Sequence, residues 1–409
     1  MEAGAHSDAG NGRKGLLSGL LVCDFGWAVA GPVLSRFLAH HGATVIKIES
    51  NTRLDGTRLS TPFRGKPSRN NSGYFDQHNA GKLGITLDLK HPEGKRIARR
   101  LALKADVVNE NFVPGVLDEL DLGYESLRRD RPDLIMISSS AQGQDGPNAR
   151  APGLGVTLQG LVGLAHLTGW PDRVPVGTGE PYTDTLVVWT AGTALMAALD
   201  YRRRTGQGMH IDLSQFEIVA HVLAPGLLHE QLTGARHARM GNASLARAPE
   251  GVFPCAGEDR WCAISVEDDA QWRALAGLIG HAVSDAEDLA WRRAHNDELE
   301  QAIAAWTRTR EVEQVENTLL AAGVPAHRVA TGKDIMEDAQ LASRGHWVKR
   351  DHPSMGEHLY EMPPFRLDEH AIHVGRSPRI GEHTDEVLAN VLGLGKEEIE
   401  AARAAGALN

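Results

Sequence analysis

Leu17–Glu49 reads LSGLLVCDFGWAVAGPVLSRFLAHHGATVIKIE, and the order of its pieces decides the fold. Gly19–Asp24 is a short apolar run ended by a carboxylate, and Gly26–Pro32 (GWAVAGP) is a loop of small residues. Val33–His41 spaces its apolar side chains for a helix, and Ala43–Glu49 (ATVIKIE) is a second apolar run. Strand, loop, helix and strand in that order make one βαβ unit.

Working outward, the pattern repeats. Lys82–Leu89 (KLGITLDL), a helix opened by Pro92, and Ala105–Phe112 (ADVVNENF) form a second unit, and Pro132–Ser140 (PDLIMISSS) adds a further buried strand. Such alternation implies an α/β protein with a mostly parallel, doubly wound sheet. Thr185–Arg204 is apolar nearly all round in its first four turns, which predicts a buried helix. A basic last turn and TGQG end it. His210–Leu232 continues with a strand and another long helix.

Near Thr233 the composition changes. Residues 235–251 (ARHARMGNASLARAPEG) are irregular and basic, residues 251–266 (GVFPCAGEDRWCAISV) pattern as a hairpin, and helical segments follow at 269–279, 297–306 and 310–322. This middle stretch is expected to be a smaller α+β domain. The first sixteen residues are polar and small and are read as a disordered N-terminal extension.

Composition narrows the function. The 409 residues are 42% hydrophobic and 23% charged, the mix of a soluble globular chain. A net charge of −10 argues against a nucleic-acid partner. Three cysteines without paired spacing suit a reducing cytoplasm and no zinc site. No apolar run reaches about 18 residues, so no membrane span is expected. The nineteen histidines show no HExxH or comparable spacing; no metal is assigned, and most should lie at the surface.

Two places could carry chemistry. Glycines between a strand and a helix can let backbone approach a phosphate. A nicotinamide site would want GxGxxG, however, with an acid at the end of the second strand. Glu49 occupies that position, but Gly26 and Gly31 have the wrong spacing, and a structural turn is the commoner reading of such a loop. The second place is Asp184, in GTGEPYTDTLVVWTAG. It is either an N-cap for the helix that follows or a poorly hydrated carboxylate kept ionised there as a nucleophile.

Beyond these residues the chain resembles a known family. AGPVLSRFLAHHGATVIKIES, ITLDLKHPEGKRIARRLALKADVVNENFVPGVLDELDLGYESL, Asp184 through Gly208, Arg239–Trp261 and GEHTDEVL (Gly381–Leu388) are similar, in order, to segments of family III (CaiB–BaiF type) CoA-transferases. The similarity runs from about residue 17 to the end.

The resemblance implies a Rossmann-like large domain at 17–225 and 335–409, a small domain at 226–334, and two chains interlocked as a homodimer, with heteromers known among relatives. It implies a transferase that exchanges coenzyme A between an acyl-CoA donor and a carboxylic acid through an aspartyl-CoA thioester on Asp184. CoA enters as substrate, and no cofactor is held permanently. CoA contacts fall on Ala28, Val29, Ala30, Asn79, Lys82, Asn111 and Phe112, with Lys82 on a phosphate. The loop Gly241–Gly251 is similar to the family's mobile active-site loop.

Departures from the family pattern are Val29, Ser50, Leu83 and Glu119, where relatives carry polar or basic residues. Phosphate binding would then be weaker or rebuilt from Arg53, Arg58 or Arg64. Leu154 and Gly155 replace Tyr or His and Asp beside the acyl site, which suits a bulky apolar acyl group. Two other readings share the fold: an acyl-CoA racemase, which lacks its histidine at Leu154, and a partner-dependent subunit.

Overall fold

The computed structural model describes residues 14–368 and 370–409, so residues 1–13 of the expected extension lie outside the described part. The chain divides into two compact units. The first takes the N-terminal stretch up to Leu164, Gly177–Ala235 and Ser343–Asn409. The second takes Ala165–Val176 and Arg236–Ala342. These limits differ from a division at 226 and 334, and residues 165–176 join the second unit. There the Arg239 side chain donates to the carbonyls of His166 (3.0 Å) and Trp170 (3.3 Å).

The first unit is built on six strands: β1 (Leu21–Asp24), β2 (Thr44–Glu49), β3 (Leu83–Thr86), β4 (Val107–Glu110), β5 (Ile135–Ser140) and β6 (Met209–Ser214). Their spatial order is β3-β2-β1-β4-β5-β6, and all five pairings are parallel. Successive side chains of a strand point to opposite faces. Val22, Val45 and Val107 accordingly pack on one side with Leu34, Leu38, Val187 and Leu195. Cys23, Ile46 and Val108 pack on the other with Ile97, Leu101 and the C-terminal Leu388 and Ile399. A sheet covered on both faces wants continuous apolar runs, which is why the strands read that way. The histidines adjoining this sheet depart from the surface expectation, since His40, His41 and His78 are buried, as is His352 in the 347–352 strand.

The helix expected at 185–204 is two pieces, Tyr182–Thr185 and Val187–Thr205. It is buried along one face only, through Val187, Ala191, Leu195 and Ala198. Trp189 is 49% and Met196 37% exposed on the other. The long helix expected after β6 is likewise broken at Leu223, between helices Gln215–Val222 and Ala224–Thr233; Pro225 opens the second.

The second unit has a three-stranded antiparallel sheet from Glu250–Pro254, Trp261–Ser265 and Ala326–Arg328. Its core gathers Trp272, Leu275, Leu299, Ile303, Val315 and Leu319 from three helices. Among the described residues, no helix is long and apolar enough to cross a membrane.

Candidate active site

In this sheet the strand order reverses between β1 and β4, and ligands of such sheets bind in the crevice beyond the strands' carboxyl ends. GWAVAGP leaves β1 at that point. Gly26 and Gly31 pack on each other: a Cβ on Gly31 would lie 2.9 Å from Gly26 Cα and 2.9 Å from Asn111 Oδ1. The two glycines therefore serve a tight structural turn. Asn111 Oδ1 accepts from Trp27 N (2.7 Å) and its Nδ2 donates to Trp27 O (2.9 Å), clamping the loop to the end of β4. The Phe112 and Trp27 rings meet edge to face with centroids 5.7 Å apart, and the exposed Arg53 lies 5.1 Å over the Trp27 ring.

Beneath the loop is a buried charge network. Asp24 Oδ1 accepts from Gly26 N and Asn109 Nδ2 (both 2.9 Å). Its Oδ2 accepts from Ser35 Oγ (2.6 Å) and Lys82 Nζ (3.0 Å). Burial alone pushes the Asp24 carboxyl up; Lys82 and Lys47, with the two side-chain hydrogen bonds, outweigh it and hold the group below the usual carboxylate range. Lys47 Nζ donates to Asp55 Oδ2 (2.9 Å) and Gly26 O (2.7 Å). Asp55 Oδ1 in turn accepts from Ala28 N (3.2 Å), and Ala28 takes a left-handed φ of 58°. Val29 and Ala30 are buried as the following helix begins, so Ala28 alone of the three is exposed.

Several expected contacts are corrected here. Lys82 is fully buried, bonded to Asp24 and to Asn79 Oδ1 (2.9 Å), and burial lowers its pKa to about 8. The Lys82 ammonium and Asn79, also fully buried, are both closed off from the surface of this chain. Arg58 is equally unavailable. Its guanidinium forks onto Glu49 (2.8 and 2.7 Å) with both side chains buried, which also removes Glu49 from any ribose. Arg53 and Arg64 stay exposed.

Asp184 is not an N-cap. It lies within the turn Tyr182–Thr185, its N–H bonds Pro181 O (2.8 Å), and no side chain caps that turn. Its half-buried carboxylate makes no hydrogen bond or ion pair among the described residues. Burial pushes its pKa up to about 6. Gly155 stands beside it, where a Cβ would come 3.2 Å from Asp184 Oδ2. Leu154 is 75% exposed and points outward, so the apolar wall expected of it is absent within this chain. The buried Gln159 braces the approach to Pro181, donating to Glu180 O (2.7 Å) and accepting from Thr178 N (3.0 Å).

Sequence reasoning missed Tyr74. Its phenol is pushed up by burial and by the charges of Glu180 and Asp184, so it belongs to the same neighbourhood. Nothing in NSGYFDQHN marks it. Lys47 did carry a signal: a lysine inside an apolar central strand must be buried, and buried lysines are paired.

A parallel sheet in this order, with its polar groups gathered beyond the strand ends, defines a Rossmann-like α/β protein. Residues 17–384 match the family model described as CoA-transferase family III, and the chain belongs to that family. It is 32% identical over 388 residues (94% of this chain, 96% of the relative) to succinyl-CoA–D-citramalate CoA-transferase of Chloroflexus aurantiacus. It is 33% identical over 387 residues (93% and 96%) to succinate–glutarate CoA-transferase of Agrobacterium fabrum. The crystal structure of a CaiB/BaiF family protein from Brucella suis superposes with a TM-score of 0.84 at 32% identity, over 93% of this chain and all of that one. The chain is thus a CoA-transferase, and a CoA thioester is its substrate.

Proposed function

We propose that the chain moves coenzyme A between an acyl-CoA donor and a carboxylic acid through a covalent intermediate on Asp184. The observation that carries this reading is the half-buried, unpartnered Asp184 carboxylate with its pKa near 6. At neutral pH such a group is mostly ionised yet more basic than an ordinary aspartate, and basicity and poor hydration both favour attack. An Asp184 oxygen adds to the donor's thioester carbonyl, the C–S bond breaks, and CoA leaves as thiolate from a mixed anhydride. The thiolate then attacks the aspartyl carbonyl and expels the donor's carboxylate, leaving aspartyl-CoA thioester. The acceptor carboxylate displaces the thiolate to form a second anhydride. The thiolate's attack on the acceptor's carbonyl yields the new acyl-CoA and frees Asp184.

For CoA itself, the surface formed by Ala28, Trp27 and Phe112 with Arg53 is the better-supported contact, in place of Asn79 and Lys82. Arg53 is then the phosphate ligand. For the acid, the outward Leu154 lends no apolar wall from within this chain to a bulky acyl group. The two relatives named for D-citramalate and for glutarate act on short dicarboxylic acids, and a short dicarboxylic acid is the substrate class proposed here. A homodimer is proposed as the working form, supported by the exposed Trp189–Met196 face.

The test is mass spectrometry of the protein after incubation with succinyl-CoA and hydroxylamine. Trapping at Asp184, absent in Asp184→Asn, is the expected result; trapping elsewhere, or full turnover by Asp184→Asn, overturns the reading.

A further inference from the structure

We infer that the cavity between Pro62–Gln77 and the Met355–Leu359 turn receives the second carboxylate of the acid, with Arg64 as its counter-ion. This rests on the proposed chemistry at Asp184 and adds what that chemistry leaves open: where the non-reacting end of the substrate goes.

The cavity has a volume of about 460 Å³ and is largely apolar, walled by Pro62, Phe63, Met355 and Leu359 with Tyr74 on one side. The helix Gly73–Asn79 that carries Tyr74 and the turn Tyr182–Thr185 that carries Asp184 both pack against the helix Ala30–His40, and the Asp184 charge helps to raise the Tyr74 phenol. A substrate held at Asp184 therefore has this cavity within the same neighbourhood of one compact unit.

Charge selects the occupant. Asp76 also lines the cavity, but its carboxylate is already satisfied: Oδ1 accepts from Tyr360 Oη (2.8 Å) and Ser377 N (3.3 Å), and Oδ2 pairs with His358 Nε2 (2.7 Å). The other nitrogen of His358 faces Gly356 O (2.9 Å). Gln77 is held by Glu361, which pairs with Arg36. Arg64 is left as the charged group on the wall with no partner among the described residues. A guanidinium without a partner, on a wall whose Asp76 and His358 are paired with each other, favours a planar anion, which it can grip by two parallel hydrogen bonds.

Arg64 is also held in place. Asn71 is buried, its Nδ2 donates to Arg64 O and Lys66 O (both 2.7 Å), and its Oδ1 accepts from Ser68 N (2.8 Å). Arg64 N closes the turn onto Asn71 O at 3.0 Å. The loop thus presents the guanidinium from a braced backbone, so less ordering is needed when an anion arrives.

An anion at Arg64 has two possible sources, the acid's distal carboxylate and a phosphate of CoA, and the experiment separates them. Turnover of Arg64→Gln and Arg64→Lys is measured with glutarate and with pentanoate, an acid of equal length lacking the second carboxylate. Calorimetry follows glutarate and CoA binding to the same variants made in the Asp184→Asn background. The expected result is a kcat/KM for glutarate that falls roughly 10- to 100-fold in Arg64→Gln, the range of one lost charged hydrogen bond. Arg64→Lys should recover part of it, pentanoate should be unchanged, and glutarate binding should weaken while CoA binding does not. Equal loss with both acids, weakened CoA binding, or no change at all overturns the assignment. Retained activity in Asp184→Asn would instead defeat the nucleophile reading, while the calorimetric result for Arg64 would still stand.

Discussion

Gly155 and Asp184 are packed so that a methyl group on one would press on the other. A Cβ at Gly155 would sit 3.2 Å from Asp184 Oδ2 and 2.8 Å from Cβ of Pro181. The second distance is below any normal contact, and a proline ring cannot turn aside. Gly155→Ala should therefore displace the Pro181–Asp184 turn at a cost of about 1–3 kcal/mol, the usual range for overpacking. Turnover should fall at least tenfold, since small misplacements of a reacting group are expensive. Urea unfolding and single-turnover kinetics on Gly155→Ala check both numbers; a variant with wild-type rates removes Gly155 from the site.

The raised pKa of Asp184 ties activity to stability with opposite signs. Its ionised form is the nucleophile, so kcat/KM should rise with pH and level off above about 6. Folding runs the other way. A carboxyl whose folded pKa exceeds its unfolded value binds more protons when folded. The stability it supports is full below the unfolded value of 3.8 and is lost as pH rises through about 6. Asp184→Asn should thus be inactive yet more stable than the parent at pH 7, by about 1–3 kcal/mol, with little difference near pH 4. Thermal melts of both proteins across that range test the crossing.

Much of this architecture was legible because it depends on local pattern. The apolar runs at Ala43–Glu49 and Pro132–Ser140 became β2 and β5, and GVFPCAGEDRWCAISV became a hairpin, because strand period and turn residues are written in adjacent positions. The site was less legible, because its contacts join distant segments. The resemblance puts Lys82 on a phosphate, and nothing local to it reveals its bond to Asp24, 58 positions earlier. Arg58 looked like a free phosphate ligand until Glu49 closed on it. Leu154 and Gly155 are adjacent in sequence, yet one faces outward and the other abuts Asp184. Helix phase and the Pro181 turn decide that difference.

The half-exposed helix Val187–Thr205 makes a prediction about assembly. Exposed apolar residues gathered on one face usually mark a contact, and Trp189 and Met196, two turns apart, share such a face away from the buried stripe. Light scattering should give about twice the 44.2 kDa chain mass. Trp189→Glu with Met196→Glu should lower that mass or the yield of folded protein, whereas the same pair of changes at Arg203 and Arg204, on the exposed basic end, should not. A folded monomer of the parent at nanomolar concentration would rule the dimer out.

Lys47 and Asp55 offer the sharpest test of what holds the GWAVAGP loop. Both side chains are fully buried and 2.9 Å apart. Asp55 also accepts from Thr57 N (3.0 Å), Thr57 Oγ1 (2.8 Å) and Ala28 N (3.2 Å). Asp55→Ala would strand a buried ammonium, with Gly26 O as its remaining partner, and free the Ala28 amide from the bond that supports its left-handed backbone. Removing one member of a buried pair costs about 3–5 kcal/mol, because the survivor stays desolvated and uncompensated. Taking Lys47 to Met at the same time removes that stranded charge, so the double variant should recover a large part of the loss. Burial raises the Asp55 carboxyl, but Lys47 and the Thr57 hydrogen bonds outweigh it and hold it below its ordinary value. The stability it contributes is therefore present above about 4 and is lost as pH falls below that. Equilibrium unfolding of the parent, both single variants and the double variant at pH 7 and near pH 3 supplies the cycle. Additive effects at pH 7 would mean that the pair does not act as a unit. The KM for acyl-CoA adds a readout that stability alone would not move. It should stay raised in the double variant, where the charge defect is repaired but the Ala28 amide has lost its acceptor.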